Sequence, residues 1–180
     1  MKKNFSTVTF PIFTQEQVKK INKEIVNQNI VKESETDRAQ NAIKTGDFYH
    51  VPCMPLMELL HPWLVQCQQI NKAVFGYDIY WDFHLDSLNY NVYGIGGEYE
   101  WHIDGTKPPN RSDMKLTCLL NLSKEPYQGG EFCMINSAKK IEFTSGMGLI
   151  MNSLIAHKVT PVTKGERITL TYWADGPSWK

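Results

Sequence analysis

The chain has few cysteines, no net charge and no long apolar run. Four cysteines occur in 180 residues, Cys53, Cys67, Cys118 and Cys133. None forms a CxxC pair, which argues against a zinc knuckle or a dithiol redox motif. In a reducing compartment such thiols are buried apolar groups, so no structural disulfide is expected. Nineteen basic residues balance nineteen acidic ones. Without a basic stripe, neither nucleic acid nor an anionic membrane is an expected partner. No stretch approaches a membrane span, and Lys2 and Lys3 are not followed by the apolar run of a secretory leader. A cytoplasmic protein is the expectation. Internal repeats, low-complexity tracts and Pro/Ser-rich linkers are absent too, so nothing divides the chain.

What is present suits one domain over residues 1–180: 42% of the residues are apolar and 12% aromatic. Residues 7–10 alternate like a short strand ending at Pro11. Thr14-Gln15-Glu16-Gln17 fits a capping box, and Val18, Ile21, Ile25 and Val26 follow at helical spacing, predicting a helix over 14–29. Residues 32–46 read as an exposed loop. Leu56, Leu59, Leu60, Trp63, Leu64, Cys67 and Ile70 predict a second helix over 55–75, with Pro55 in its first turn and Pro62 as a bend. From Tyr77 onward, short β-branched and aromatic segments alternate with glycine turns. Strands are predicted over 79–84, 87–93, 99–104, 114–122, 131–136, 140–143, 148–152, 156–161 and 166–173. Helices first and strands after give an α+β class, with a helical support region over 1–76 and antiparallel sheets wrapped into a sandwich or barrel over 77–180.

Two strings carry chemistry. In His102-Ile103-Asp104, strand alternation projects His102 and Asp104 to one face, with Glu98 and Glu100 sharing their parity. With a distant His157, these are the ligands of a mononuclear iron site that leaves coordination positions open. An HxD pair alone is weak evidence. His50, His61 and His84 have no comparable context. Ten residues after His157 comes Arg167, in Arg167-Ile168-Thr169-Leu170-Thr171-Tyr172-Trp173. Alternation puts Arg167, Thr169, Thr171 and Trp173 on one face. An inward arginine is costly unless it meets an anion, and a guanidinium grips a carboxylate through two parallel hydrogen bonds.

These strings fall within co-ordered blocks: Tyr93, Gly96, Tyr99, His102 and Asp104; then residues 114–123 and Tyr127-Gln128-Gly129-Gly130-Glu131; then 146–152, His157 to Val162, and Gly165-Glu166-Arg167. Over roughly residues 89–179 the chain resembles the prolyl 4-hydroxylase-like branch of the Fe(II)/2-oxoglutarate-dependent dioxygenases. The resemblance implies a double-stranded β-helix, or jelly roll, with the N-terminal helices packed on one sheet. It implies His102, Asp104 and His157 as iron ligands and Arg167 as the cation for the far carboxylate of 2-oxoglutarate. Tyr93 and Asn121 match co-substrate positions, and Thr169 on Arg167's face is grouped with them. Trp173 matches an aromatic beside the metal and substrate. Tyr99, for which core filling is the simpler reading, is the other aromatic candidate there. Residues 105–112 follow the HxD directly and read either as a lid or as a plain hairpin connection. On them, Lys107 and Arg111 are candidate substrate contacts.

The implied chemistry uses Fe(II), 2-oxoglutarate and O2, with ascorbate as a possible reductant, and releases succinate and CO2. The leading expectation is hydroxylation of prolyl residues in a protein or peptide. The alternative is the same chemistry on a free amino acid or other small molecule. Nucleic-acid repair fits poorly, since Arg167 is followed by no asparagine in an Arg-x-Asn-x-Thr pattern. A metal-binding jelly-roll module without catalysis is the remaining class.

Overall fold

Thr14 opens the first helix. Its hydroxyl accepts from the Gln17 amide at 3.3 Å while Gln17 Oε1 accepts from the Thr14 amide at 2.9 Å, which closes the expected capping box. Helix α1 runs Gln15–Val26 and buries Val18, Ile21, Asn22 and Ile25. Helix α2 runs Met57–Ile70 after a 3-10 turn at Met54–Leu56; it buries Leu60, Trp63, Leu64, Cys67 and Ile70 and carries Pro62 inside. A wider turn over Asn71–Phe75 ends at Gly76, whose φ of 71° is the left-handed stop that a side chain disfavours.

These elements come from a computed structural model, which describes residues 6–28, 30–33, 43–81, 87–104, 112–135, 137 and 141–178. Its strands are β1 Thr7–Pro11, β2 Val31–Lys32, β3 Lys44–Thr45, β4 Asp47–Pro52, β5 Ser87–Tyr93, β6 Glu98–His102 and β7 Ser112–Asn121. There follow β8 Gln128–Gly129, β9 Phe132–Met134, β10 Met147–Asn152, β11 His157–Val159, β12 Val162–Lys164 and β13 Arg167–Pro177. A seven-stranded sheet has the order β1-β10-β7-β13-β5-β4-β2, and a four-stranded sheet the order β3-β6-β11-β9; β12 and β8 form a separate pair. All pairings are antiparallel.

Three expectations change. Residues 79–81 and 141–143 form no strand; the rest of those two segments, His84 included, lies outside the described residues. The first 76 residues are more than helices, since β1 to β4 enter both sheets. Strand β4 pairs with β5 over six residues, yet its sequence Asp-Phe-Tyr-His-Val-Pro mixes polar and apolar residues too evenly to announce a strand.

Alternation then sorts the large sheet into two faces. Leu88 and Tyr90 of β5, Leu116, Cys118 and Leu120 of β7 and Ile168, Leu170 and Tyr172 of β13 face the helices. With Val18, Ile21, Leu60, Trp63 and Cys67 they form the main core. Asn22 fastens helix to sheet: its Nδ2 donates to the Leu122 carbonyl at 2.8 Å, and its Oδ1 accepts from the Tyr90 hydroxyl at 2.7 Å. The opposite face meets the small sheet. There Leu119, Phe132, Met134, Phe143, Leu149, Met151 and Val159 close one end, and the space beyond them is the cleft. Among the described residues the four cysteines form no disulfide. Among the described residues no helix is long and apolar enough to cross a membrane.

Candidate metal centre

Three donors meet at the cleft. His102 ends β6, His157 begins β11 directly opposite it, and Asp104 sits in the turn just after β6. The Asp104 amide donates to the Ser153 carbonyl at 3.1 Å, which pins that turn to the chain leaving β10. His102 Nε2 lies 3.6 Å from Asp104 Oδ1, and His157 Nε2 lies 3.5 Å from Oδ2. One ligand atom from each side chain lies within 4.8 Å of the others, a spacing that can hold a single ion. Each imidazole is oriented from behind. His102 Nδ1 is 2.7 Å from the Glu100 carbonyl, and His157 Nδ1 is 3.0 Å from the Ile155 carbonyl. A carbonyl only accepts, so Nδ1 carries the proton and the Nε2 lone pair points at the site. Burial, and then the neighbouring His157, push the His102 imidazole down to about 4, so the ring is neutral and able to ligate at neutral pH.

Strict alternation along β6 does not survive. His102 pairs with His157 and Tyr99 with Val159, so three steps on β6 oppose two on β11. The extra residue is a bulge, and it moves Tyr99 onto the face of His102. The two rings stack at 3.5 Å between centroids with planes 13° apart. Glu98 and Glu100 therefore do not continue the metal-facing row; its neighbour is an aromatic ring. Bulges leave little trace in composition, which is why parity counting missed this one.

The large sheet supplies the other wall. Arg167, Thr169, Thr171 and Trp173 of β13 line the cleft with Tyr93 and Asn91 of β5 and Thr117 and Leu119 of β7. Arg167 is 1% exposed, and its Nε has no hydrogen-bond partner among the described residues. Its guanidinium carbon lies 5.2 Å from the Tyr93 ring centre and 5.9 Å from that of Phe143. Gly130 makes room for it: a Cβ there would stand 2.9 Å from Arg167 Cδ. A buried guanidinium with no acid beside it is a strong attractor for a carboxylate. Burial pushes the Tyr93 phenol up to about 12, partly opposed by Arg167, so it stays a hydrogen-bond donor.

Other sequence candidates fall elsewhere. Asn121 is fully buried but does not line the cleft. Its Nδ2 donates to the Tyr127 hydroxyl and the Phe143 carbonyl, and its Oδ1 accepts from the Ser123 amide, so its polar atoms are occupied by the protein. Lys107 and Arg111, and all but the last residue of the 105–112 segment, lie outside the described residues. A larger cavity of about 1020 Å³ opens beside Gln15, Tyr127 and Phe143, but none of the three donors lines it.

Three residues escaped the sequence reading. The Thr117 hydroxyl donates to Asp104 Oδ2 at 2.7 Å. Asn91 donates through Nδ2 to Thr171 Oγ1 at 3.0 Å and keeps a buried Oδ1 without a partner. Lys44 lines the cleft from β3. Asn91 shares strand parity with Tyr93 and could have been found that way. Thr117 and Lys44 become neighbours of the site only through sheet pairing.

Comparison with known proteins places this geometry. Residues 88–175 match the model of the 2OG-Fe(II) oxygenase superfamily. Over that segment the chain is similar to the superfamily. A PKHD-type hydroxylase of Alteromonas mediterranea is 38% identical over 93 residues, covering 47% of this chain and 41% of the relative. One from Prochlorococcus marinus is 39% identical over 82 residues, covering 44% and 37%. The matched segment thus spans about two fifths of the length of these curated relatives. A Pseudomonas putida prolyl-4-hydroxylase shares the fold at a TM-score of 0.70 and 17% identity, over 96% of this chain and 94% of that one. A viral collagen prolyl hydroxylase from Paramecium Bursaria Chlorella virus-1, solved as a 2OG complex, gives 0.73 and 12%, over 98% and 99%. The oxygenase superfamily implies Fe(II) and 2-oxoglutarate. The residues present fit both: two imidazoles and a carboxylate for the metal, and for the dicarboxylate a buried guanidinium whose Nε has no hydrogen-bond partner among the described residues.

Proposed function

We propose that this protein is an Fe(II)- and 2-oxoglutarate-dependent oxygenase that hydroxylates prolyl residues of a protein or peptide. The observation that carries the reading is the convergence of His102, Asp104 and His157 in a cleft that also holds a buried Arg167 with no hydrogen-bond partner for its Nε among the described residues. The paired antiparallel sheets around that cleft suit a double-stranded β-helix. The free cysteines suit a reducing cytoplasm.

His102, Asp104 and His157 would hold the metal, three protein ligands that would leave coordination positions open. Bound iron supplies the activation of O2, coupled to decarboxylation of 2-oxoglutarate to succinate and CO2. Arg167 takes the far carboxylate of 2-oxoglutarate, the Tyr93 hydroxyl donates to the same molecule, and Thr169 lies beside them on β13. Asn91 adds a buried acceptor to that wall. Thr117 donates to one Asp104 oxygen and so orients the carboxylate that would help hold the metal. Tyr99, stacked on His102, and Trp173 at the far end of the β13 row border the substrate and keep water from the reacting carbon.

The test starts anaerobically. Fe(II) and 2-oxoglutarate together give a weak visible charge-transfer band that neither gives alone; O2 is then admitted, and succinate is measured against a panel of prolyl peptides and free amino acids, with mass spectrometry for one added oxygen. A pure protein that holds zinc in a closed four-ligand site and gives no band overturns the oxygenase reading.

A further inference from the structure

We infer that Lys44 is a second anion-binding point in the cleft, one that takes a carboxylate of the primary substrate. The prolyl substrate is then a chain-terminal residue with a free carboxylate, not an internal residue of a protein. The inference rests on the oxygenase reading above and narrows its substrate class.

Strand β3 pairs Lys44 with Tyr99 of β6, which brings the lysine from the polar 32–46 stretch to the cleft wall. Its ammonium stands 3.7 Å from the centre of the Phe48 ring and 5.3 Å from that of Tyr99. Tyr99 in turn stacks 3.5 Å from His102. Two short steps therefore separate this cation from the metal site. Lys44 and Arg167 stand on different sheets, Lys44 over the Phe48 ring and Arg167 over the Tyr93 ring.

A desolvated ammonium needs an anion, and aromatic faces compensate it only in part. Among the described residues Lys44 makes no ion pair. Two carboxylates act on it, both from beyond ion-pair distance. Glu33 lies outside the cleft lining, beside Phe48, to whose carbonyl its amide donates at 2.8 Å. Asp104 already accepts from the Thr117 hydroxyl and shares the metal position with the two histidines. Burial pushes the Lys44 ammonium down to about 8, which leaves it mostly charged at neutral pH. Inside the cleft, a divalent ion, the Asp104 carboxylate, a dicarboxylate co-substrate and Arg167 sum to zero charge. Lys44 adds one positive charge to the cleft lining, and Glu33 acts on it from outside that lining. One substrate carboxylate matches it. A backbone amide at the same place offers no charge, so a prolyl residue within a chain leaves Lys44 unanswered.

The experiment uses the full chain loaded with Mn(II), which allows no turnover, and saturated with 2-oxoglutarate. The probes are N-acetyl-L-proline, its amide, and a capped peptide with an internal Glu-Pro pair. Paramagnetic broadening of the probe proton resonances gives each apparent Kd. The free acid is expected to bind roughly ten- to a hundredfold more tightly than the amide, the worth of one charge-assisted contact. Lys44→Met removes that preference and Lys44→Arg keeps most of it. Equal binding of acid and amide, no broadening by either, or a preference that persists in Lys44→Met overturns the inference. The Glu-Pro peptide binding as well as the free acid overturns the free-terminus part. The wild-type comparison stands even if a variant folds poorly. Absence of the ferrous 2-oxoglutarate band in wild type is a separate result, and it removes the function itself.

Discussion

Replacing Thr117 by valine removes one hydroxyl and almost no volume. In the native cleft that hydroxyl is buried and donates to Asp104 Oδ2 at 2.7 Å, while His157 Nε2 sits 3.5 Å from the same oxygen. A hydrogen bond to a charged group is worth about 1.5–3 kcal/mol, which corresponds to a factor of roughly ten to a hundred in binding. Groups that orient a metal ligand carry a similar weight, with losses of about 10–100-fold in metal affinity. Thr117→Val is therefore expected to weaken Mn(II) or Fe(II) binding by about 10–100-fold, and Thr117→Ser to recover most of it. Anaerobic calorimetric titration gives the affinity, and unfolding of the metal-free variants shows whether the fold is intact. Affinity in the valine variant within twofold of wild type, or an equal loss in the serine variant, would refute the reasoning. Either result would mean that the Thr117 contact does not orient Asp104.

If Arg167 grips the far carboxylate of 2-oxoglutarate as proposed, Arg167→Ala is expected to raise the KM for 2-oxoglutarate by roughly a hundredfold or more. Metal affinity should stay nearly constant, whereas Asp104→Ala should abolish it; similar mild effects from both count against the assignment. Asn22→Leu strands the Leu122 carbonyl and the Tyr90 hydroxyl between α1 and the sheet. Urea unfolding should show a loss of about 2–4 kcal/mol; a loss below about 0.5 kcal/mol means that the bridge contributes little. The His102 imidazole is depressed from its usual 6.5 to about 4 by burial and by His157. The unfolded chain therefore binds the extra proton first as pH falls. The stabilising contribution is complete above about 6.5 and is lost down to about 4. The Tm of metal-free protein should fall across that window, less steeply in His102→Gln; equal slopes contradict the burial argument.

The sequence by itself determined the periodic features. The Thr14 capping box, the apolar stripes of both helices and the alternation of Arg167, Thr169, Thr171 and Trp173 are local regularities of 3.6 and 2 residues, so they can be read without a partner. The HxD pair, the later histidine and the arginine ten residues beyond were legible in the same way, as residue types at fixed spacing. Only the tertiary structure decided what depends on pairing between distant strands. The β6 bulge exchanged Glu100 for Tyr99 beside His102, and β4 joined the large sheet despite an indistinct sequence. Asn121 was drawn away from the cleft by Tyr127 and Phe143, while Thr117 and Lys44 were brought to it. Side chains far apart in the chain meet through register and burial, and neither is written in any short stretch of residues.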